Sequence, residues 1–190
     1  MSIELTTKRL LLRPWQESDL DVLYDLAKDP NVGPDAGWPP HQNREESQQV
    51  LTKRLMNDYT WAIVLKETGE VIGDISLMPF GTGNHTKNEK EKEIGFWLGS
   101  AYWGNGYMPE ACLRLMEYAF VDLDSTCIWI AHHDKNMKSA RVQAKCGFRF
   151  DHRKDNIYLK QFDCYRNAII NCMTREDWLK RQEEQTHEHH

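Results

Sequence analysis

The chain has 190 residues, of which 40 % are hydrophobic, and it carries a formal net charge of −5. This length suits one domain that buries roughly 70 % of its unfolded surface, and the composition excludes a disordered or fibrous protein. The acidic charge argues against a broad nucleic-acid or anionic-membrane surface, and no apolar stretch approaches the roughly 20 residues of a membrane-spanning helix.

The cysteines indicate a reducing compartment. They are odd in number and form no CxxC pair, so we interpret them as buried thiols and expect no metal site. The N-terminus lacks the basic and apolar regions of a signal peptide, so the sequence predicts a cytoplasmic protein. The five cysteines are Cys112, Cys127, Cys146, Cys164 and Cys172.

The first predicted elements are a strand and two helices. The strand covers residues 9–13 and ends at Pro14, and the first helix begins at Ser18. The segment 31–41, NVGPDAGWPPH, holds two glycines and three prolines and is predicted to be a stiff loop. Asn43 begins the second helix with Glu46 at its third position.

Strands dominate the middle of the chain. Residues 61–65, WAIVL, are continuously apolar and predict a strand. After the turn ETGE, residues 71–77 predict its hairpin partner. Residues 81–92 are polar and predict a solvated loop, and residues 93–98, EIGFWL, predict a further strand.

Helices and strands alternate towards the C-terminus. The patterns predict helices over 108–120 and 136–145, the second stopped by Gly147, and a last short helix capped by Thr174 with Asp177. Strands are predicted over 127–131, 148–150, 157–159 and 166–173. We therefore expect one α+β domain over residues 1–184, with 185–190 as a disordered tail or a remnant of cloning.

The stretch YWGNGYMPEA is the clearest candidate binding motif. A strand that passes through glycines into a helix N-terminus can hold an anion, because the free amides of the first turn point outward. A phosphate loop of nucleoside triphosphatases would end in Gly-Lys-Ser/Thr, and a dinucleotide fingerprint would place a third glycine where Pro109 stands. Both are excluded, and a simple tight turn at Gly104 and Gly106 remains the alternative to an anion site.

A second motif, NMKSARVQAKCGF at 136–148, follows at the expected distance. Together with EIGFWL and YWGNGYMPEA, it resembles the GNAT superfamily of acetyl-CoA-dependent N-acetyltransferases. The segments TTKRLLLRPWQESD and MTREDW are similar to the ribosomal-protein (RimJ/RimL-like) branch. The resemblance implies a mixed, mostly antiparallel sheet flanked by helices, in which a splayed strand pair forms the acetyl-CoA cleft.

The resemblance also implies where acetyl-CoA binds. The splayed strand would hold the pantetheine arm and the thioester carbonyl, the glycine loop the pyrophosphate, and the start of the later helix the region of the sulfur. The residues matching the strand are Phe96, Trp97 and Leu98; those matching the loop are Trp103, Gly104, Asn105, Gly106, Tyr107 and Met108; those matching the helix start are Asn136 and Ser139. From the residues alone, Asn136 is equally a helix N-cap.

Two positions depart from the family pattern. The residue three before the first glycine is usually Gln or Arg and here is Ala101, so the loop amides must hold the phosphates with help from nearby cations. The position of a frequent catalytic tyrosine is Gln143, so Ser139, another tyrosine or water must protonate the leaving thiolate. The nearby cations are Lys135, Lys138 and Arg141.

The implied reaction is direct attack of an amine on the thioester. About a tenth of a free α-amine is neutral at pH 7, but less than about a thousandth of a lysine amine, so a base matters more for lysine. Glu93, at the head of the splayed strand, is the first candidate base, and a surface carboxylate in NEKEKE is the alternative. Strand amides near Trp97 would stabilise the oxyanion. In the 31–41 loop, Trp38 and His41 either contact the acceptor or only pack the loop.

Three functions follow from this interpretation. The leading one is acetylation of a peptide or protein N-terminal amine. The second is acetylation of a small amine, such as a polyamine, an amino acid analogue or an antibiotic. The third is a non-catalytic module that binds acyl-CoA. The expected partners are acetyl-CoA and an amine acceptor, with no nucleic acid or membrane, and the expected state is a monomer or homodimer.

Overall fold

The computed structural model of the protein describes residues 3–188 and contains one eight-stranded sheet. Its strands are β1 (Leu5–Thr6), β2 (Leu10–Pro14), β3 (Thr60–Leu65), β4 (Val71–Met78), β5 (Glu91–Leu98), β6 (Cys127–His133), β7 (Arg149–Leu159) and β8 (Cys164–Thr174). The strand order is β1-β2-β3-β4-β5-β6-β8-β7, and every neighbouring pair is antiparallel except the parallel pair β5 and β6. The predicted α+β class with a mixed, mostly antiparallel sheet is confirmed.

Six α-helices accompany the sheet. They are α1 (Leu20–Ala27), α2 (Gly33–Ala36), α3 (Arg44–Val50), α4 (Tyr107–Glu117), α5 (Met137–Lys145) and α6 (Arg175–His187). The Asn43 side chain accepts a hydrogen bond from Glu46 N, and the Thr174 side chain accepts one from Asp177 N, so both predicted caps are confirmed.

Each face of the sheet carries its own hydrophobic core. Along β3, Ile63 belongs to a cluster with α4, whereas Ala62 and Val64 belong to a cluster with Leu23 of α1. This separation follows from the two-residue period of a strand, which sends neighbouring side chains to opposite faces.

The parallel strands β5 and β6 diverge part-way along their length. They pair only from Glu91↔Cys127 to Ile94↔Ile130. Beyond that point β5 continues beside β4 and β6 continues beside β8, as far as Leu98 and His133. The predicted splayed pair is therefore present, and it leaves backbone groups of both strands unpaired along the gap.

Three segments differ from the sequence prediction. The 31–41 loop contains the one-turn helix α2, which forms because Trp38 packs against Gly33, where an added Cβ would lie 2.5 Å from the Trp38 ring. The predicted strands 148–150 and 157–159 belong to the single strand β7, whose polar middle lies at a solvent-exposed edge and shows no apolar alternation. The helix α6 continues through residues 185–187, which the composition assigned to a tail, and residues 189–190 lie outside the described part.

Candidate active site

A cleft of about 740 Å³ opens where β5 and β6 diverge. One end is walled by the glycine loop and α5, and the other by α2, the 84–85 loop and the hairpin of β7 and β8. Gly95 and Ala131, the first residues beyond the last β5–β6 pair, both line it, and neither has a side chain larger than a methyl group. The cleft is thus deepest where backbone from two strands is accessible.

The glycine loop forms the first end of the cleft. Gly104 and Gly106 both adopt left-handed backbone conformations, with φ of 80° and 77°, which only glycine adopts without strain. An added Cβ at Gly104 would meet no atom within 4 Å, so the space above the loop is open. Gly106 is the N-cap of α4, whose first amides and positive dipole end favour an anion.

The side chain of Asn105 shapes the loop from within. Its Nδ2 donates to the carbonyls of Tyr102 (3.1 Å) and Trp103 (3.2 Å). Asn105 therefore stabilises the turn, and Asn105 is not among the residues that line the cleft.

A brace from the N-terminal strands holds the same loop, and the only local signal for it is a carboxylate in the first turn of a predicted helix. Glu110 of α4 accepts hydrogen bonds from Thr7 Oγ1 (2.6 Å), Arg9 N (2.8 Å) and Arg9 Nε (2.7 Å). Arg9 Nη1 donates to the carbonyl of Asn105 at 2.9 Å, and the guanidinium lies 4.5 Å from the Tyr107 ring centroid. Burial raises the pKa of Glu110. The hydrogen bonds from Thr7 and Arg9 and the Arg9 charge together lower the pKa by more than burial raises it, so the net pKa lies below the ordinary value.

Cations of α5 face the glycine loop across the cleft. Lys138, Arg141 and Lys145 line it, and their spacing of three and four residues places them on one helical face. Lys138 Nζ lies 3.8 Å from the Trp103 ring centroid. Lys135, which the sequence also proposed, is not among the lining residues. The open glycine loop and these cations fit the phosphates of a coenzyme A nucleotide.

Asn136 and Ser139 line the cleft at the start of α5. Asn136 Oδ1 accepts from Ser139 N at 3.1 Å, so Asn136 is the helix N-cap that its position allowed. The Ser139 hydroxyl accepts from Gln143 Nε2 at 3.1 Å, which leaves its own proton to donate elsewhere. Gln143 also donates to the Ala131 carbonyl and accepts from Asn171, so this residue stabilises a buried polar network at the position where the resemblance implied a tyrosine.

The candidate base Glu93 does not line the cleft, which counts against direct contact between its carboxylate and an amine bound there. The residue is only 5 % exposed, and its Oε2 accepts hydrogen bonds from the amides of Asn84 (2.6 Å) and His85 (2.9 Å). The strand β5 begins at Glu91, two residues before the predicted start, so the polar loop folds back over Glu93. At Gly83 a Cβ would lie 2.4 Å from Glu93 Oε2, which shows how closely the loop packs.

His85, which Glu93 holds through its backbone amide, lies in the wall of the cleft. It lines the cleft, and its Nε2 lies 3.9 Å from Glu93 Oε1. Its Nδ1 is buried and has no hydrogen-bond partner among the described residues. Burial is the largest effect on its pKa, which lies below the ordinary value of histidine. No motif signalled this residue, because its partner comes from a strand eight residues away.

For Trp38 and His41 the sequence left acceptor contact and loop packing open, and the contacts of both side chains are those of packing. Trp38 lies edge-on to Trp97 with ring centroids 5.6 Å apart, and Trp38 and His41 are 5.3 Å apart. His41 is buried, its Nδ1 lies 2.7 Å from Ser47 Oγ, and burial lowers its pKa. Neither is a lining residue, whereas Asp35, Ala36 and Gly37 of the same segment are.

The segment around α2 spans the second end of the cleft. On one side His133 Nε2 lies 3.4 Å from Asp35 Oδ1, and Asn136 Nδ2 donates to the Asp35 carbonyl. On the other side the side chain of Arg166 donates to the Pro34 carbonyl, and Gln161 Nε2 donates to the Gly37 carbonyl at 2.7 Å. This end of the cleft is therefore roofed by a helix turn that contacts both walls.

Two kinds of feature, a metal-binding cluster and a membrane-spanning helix, are absent from residues 3–188. Within that range no group of three His, Cys, Asp or Glu residues is arranged to hold a metal ion. Over the same residues no helix is both long and apolar enough to cross a membrane.

Known proteins with similar sequences and folds identify the architecture. Residues 9–149 match the family profile described as "Acetyltransferase (GNAT) domain". The N-acetyltransferase p20 of Bacillus licheniformis is 28 % identical over 76 % of this chain and 82 % of its own. The FsC-acetyl coenzyme A-N(2)-transacetylase of Aspergillus fumigatus is 28 % identical over 94 % of this chain and 79 % of its own.

Solved structures show the same fold. A GNAT-family acetyltransferase from Bacillus anthracis superposes with a TM-score of 0.81 at 20 % identity, over 92 % of this chain and 99 % of that one. RimL, a ribosomal L7/L12 α-N-protein acetyltransferase solved with coenzyme A, has a TM-score of 0.73 at 18 % identity over the same shares. With the family profile covering residues 9–149 and the splayed cleft in place, the chain belongs to the GNAT family of acetyltransferases.

Proposed function

We propose that the protein transfers the acetyl group of acetyl-CoA directly to a primary amine bound in the β5–β6 cleft. The observation that carries this proposal is the cleft itself, with an open glycine loop at one end and a chamber roofed by α2 at the other. The family supplies the reaction class, and the acceptor and the roles of individual residues are part of the proposal.

The glycine loop and α5 would bind the nucleotide end of acetyl-CoA. The amides around Gly104 and Gly106 meet the phosphates, and Lys138, Arg141 and Lys145 neutralise their charge. These cations would compensate for Ala101, which stands three residues before Gly104 where the family pattern usually has Gln or Arg.

The unpaired backbone of β5 would hold the thioester. Phe96, Trp97 and Leu98 line the gap where β5 has left β6, so their backbone groups can bind the pantetheine arm. An amide near Trp97 would donate to the carbonyl oxygen as it gains negative charge. Rigid orientation of the two reactants supplies much of the rate, because a thiolate is a good leaving group.

Ser139 would donate its proton towards the departing sulfur. Its oxygen already accepts from Gln143, so the hydroxyl proton is free to point into the cleft. Gln143 thus acts as a positioning residue, and the serine takes over the role for which relatives use a tyrosine.

A peptide or protein N-terminal amine is the first acceptor class that we propose. An α-amine reaches its neutral form far more readily than a lysine side chain, which suits a cleft whose cationic and histidine side chains would not stabilise an ammonium ion. RimL, which shares the fold, acetylates such an amine on another protein.

A small amine is the second candidate, and the α2 roof favours it. The contacts of Asp35 and Gly37 to both walls narrow the acceptor end, so a compact amine enters more easily than a folded protein surface. The Aspergillus relative, whose name FsC-acetyl coenzyme A-N(2)-transacetylase mentions no ribosomal protein, aligns with almost the whole chain.

Thiol release from acetyl-CoA with a panel of amines tests the proposal. The panel pairs N-terminally free peptides with the same peptides blocked at the N-terminus, and adds polyamines and amino acid analogues. We expect release above the hydrolysis background with at least one free amine and none with blocked partners. If coenzyme A raises the melting temperature but no amine releases thiol, the protein is a binding module and the proposal is wrong.

A further inference from the structure

Near the point where β5 and β6 diverge, the cleft wall carries an imidazole, that of His85, whose nitrogens make no hydrogen bond within the described residues. His85 is 9 % exposed at its side chain and lines the cleft. Within the described residues Nδ1 has no hydrogen-bond partner, and Nε2 has only the Glu93 carboxylate at 3.9 Å, beyond hydrogen-bond length. A buried polar group left unpaired costs about 1–3 kcal/mol, so such a group in a cleft points to a ligand or a reaction.

The fold fixes where this imidazole stands. Glu93 is one residue before Ile94, the last β5 residue paired with β6. The Glu93 carboxylate accepts hydrogen bonds from the backbone amides of Asn84 and His85. Alternate residues share a face of a strand, so Glu93 and Gly95 lie on the same face, and Gly95 lines the cleft. Glu93 therefore anchors His85 next to the point where the two strands part.

We propose that His85 is the general base of acetyl transfer and that Glu93 is the positioning residue behind it. The inference rests on the proposed function, because it names the base for that reaction at that site. The amine nitrogen forms its bond to the carbonyl carbon, the C–S bond breaks with its electron pair left on sulfur, and the proton shed by nitrogen passes to His85. The thiolate takes a proton either from solvent or from Ser139, which regains its proton from solvent, and His85 releases its proton to water, so charge and atoms balance.

The charges around His85 keep it ready to accept a proton. Burial is the largest influence and lowers its pKa; Glu93 on β5 raises it, and Lys154 and His152 on β7 lower it. The net pKa lies below the ordinary value near 6.5, so the ring is neutral at pH 7. A neutral imidazole beside a buried carboxylate is a common arrangement for general-base catalysis.

The first test replaces the imidazole and reads both rate and pH dependence. The His85→Asn variant keeps the backbone N–H that donates a hydrogen bond to Glu93, so we expect a native melting temperature and native coenzyme A binding. Its kcat should fall about 100-fold at pH 7, and its remaining activity should rise with pH as more amine becomes neutral. The control, His187→Asn, removes an exposed ring on α6 that does not line the cleft, and should keep kcat within about twofold.

The second test shifts the base without removing it. Glu93→Gln should move the acidic limb of the kcat/KM profile to lower pH, because a pKa-raising charge is lost. Lys154→Met should move the limb to higher pH, because a pKa-lowering charge is lost. NMR titration of the His85 ring in the free protein should give the same order of pKa values in the three proteins.

The outcomes separate this inference from the proposed function. If the wild-type protein acetylates an amine and His85→Asn does so equally well with the same acidic limb, His85 is not the base. If Glu93→Gln alone abolishes the limb, Glu93 itself is the base. If the wild-type protein acetylates no amine, the proposed function fails and the inference fails with it.

Discussion

At the scale of single residues, the cofactor end depends on backbone conformation more than on side chains. Gly104 has a φ of 80° and open space above its Cα, the combination expected where a ligand rather than protein approaches the backbone. The glycines were recognisable from the sequence because no other residue type adopts this geometry cheaply.

The Gly104→Val variant should lose coenzyme A affinity by tenfold or more, because the side chain fills the space above the loop. Gly69→Val is the matched control: Gly69 has a φ of 75°, open space around it, and a position in the turn between β3 and β4 outside the cleft. Both variants should lose about 1–2 kcal/mol of stability through backbone strain. Calorimetric titration with coenzyme A checks the difference, and equal affinity in both variants would remove the phosphate-loop argument.

Asp74 is a second residue whose environment makes a specific prediction. The carboxyl on β4 is buried and accepts a hydrogen bond from Trp15 Nε1 at 2.7 Å, and Trp15 in turn stacks near Trp97. Burial raises its pKa to about 7, although the Trp15 hydrogen bond lowers it. The side chain supports the aromatic layer beneath the acceptor end.

The sign of its effect on stability follows from proton binding. The folded state holds the Asp74 proton more tightly than the unfolded state, so the free energy of unfolding decreases as pH rises from about 4 to about 7. The loss is up to about 4 kcal/mol for a shift of about three pKa units. Asp74→Asn should remove this part of the pH dependence and be more stable than the wild type at pH 8, since the amide oxygen still accepts from Trp15.

Chemical denaturation at pH 4, 6 and 8 measures this difference. The exposed Asp122→Asn serves as the control and should follow the wild type at each pH. An Asp74→Asn variant that loses stability equally at all three values would contradict the raised pKa.

At the scale of elements, the N-terminal strands brace the loop that binds acetyl-CoA in this account. Glu110 at the start of α4 receives three hydrogen bonds from Thr7 and Arg9, and Arg9 also reaches the carbonyl of Asn105. The Glu110→Gln variant should destabilise the fold by about 1.5–3 kcal/mol and weaken coenzyme A binding severalfold, because the loop loses its anchor.

Glu117→Gln on the same helix is the matched control. Its side chain is 56 % exposed and pairs with Arg114 at 3.1 Å, so its loss should change stability by less than about 0.5 kcal/mol and leave binding unchanged. Thermal unfolding with and without coenzyme A compares the two. An equal ligand-induced shift in both variants would mean that the brace does not act on the site.

Most elements were predictable because their signals are local. The caps at Asn43 and Thr174 need only a side chain and an amide three residues later, and the glycine loop needs only its own backbone. The motif pair at 93–108 and 136–148 then indicated the splayed strands through resemblance to a family.

The missed features depend on contacts between distant residues. Glu93 was predicted as the base at the head of the splayed strand, but the 84–85 loop covers its carboxylate, and a local charge run carries no information about that fold-back. Trp38 and His41 carried no periodic signal either, and the packing of Trp38 on Trp97 decides that they face the interior. The α2 roof depends on Arg166, more than a hundred residues away.

At the scale of the whole molecule, different elements surround the two ends of the cleft. The glycine loop, its N-terminal brace and the cations of α5 surround one end, and α2 with the β7–β8 hairpin covers the other. The divergence of β5 and β6 joins them, so a cosubstrate and an acceptor can meet from opposite ends. This arrangement explains why so much of the chain contributes to one cleft.

The central claim is that this cleft transfers an acetyl group from acetyl-CoA to an amine. The most direct measurement follows one reaction with the best acceptor of the panel and quantifies the acetylated amine by mass spectrometry and the free thiol of coenzyme A together. The account predicts that both products appear in equal amounts with the wild-type protein, and that both fall about tenfold or more with Gly104→Val at low acetyl-CoA concentration. Thiol released without acetylated amine, or equal product formation by Gly104→Val, would contradict it.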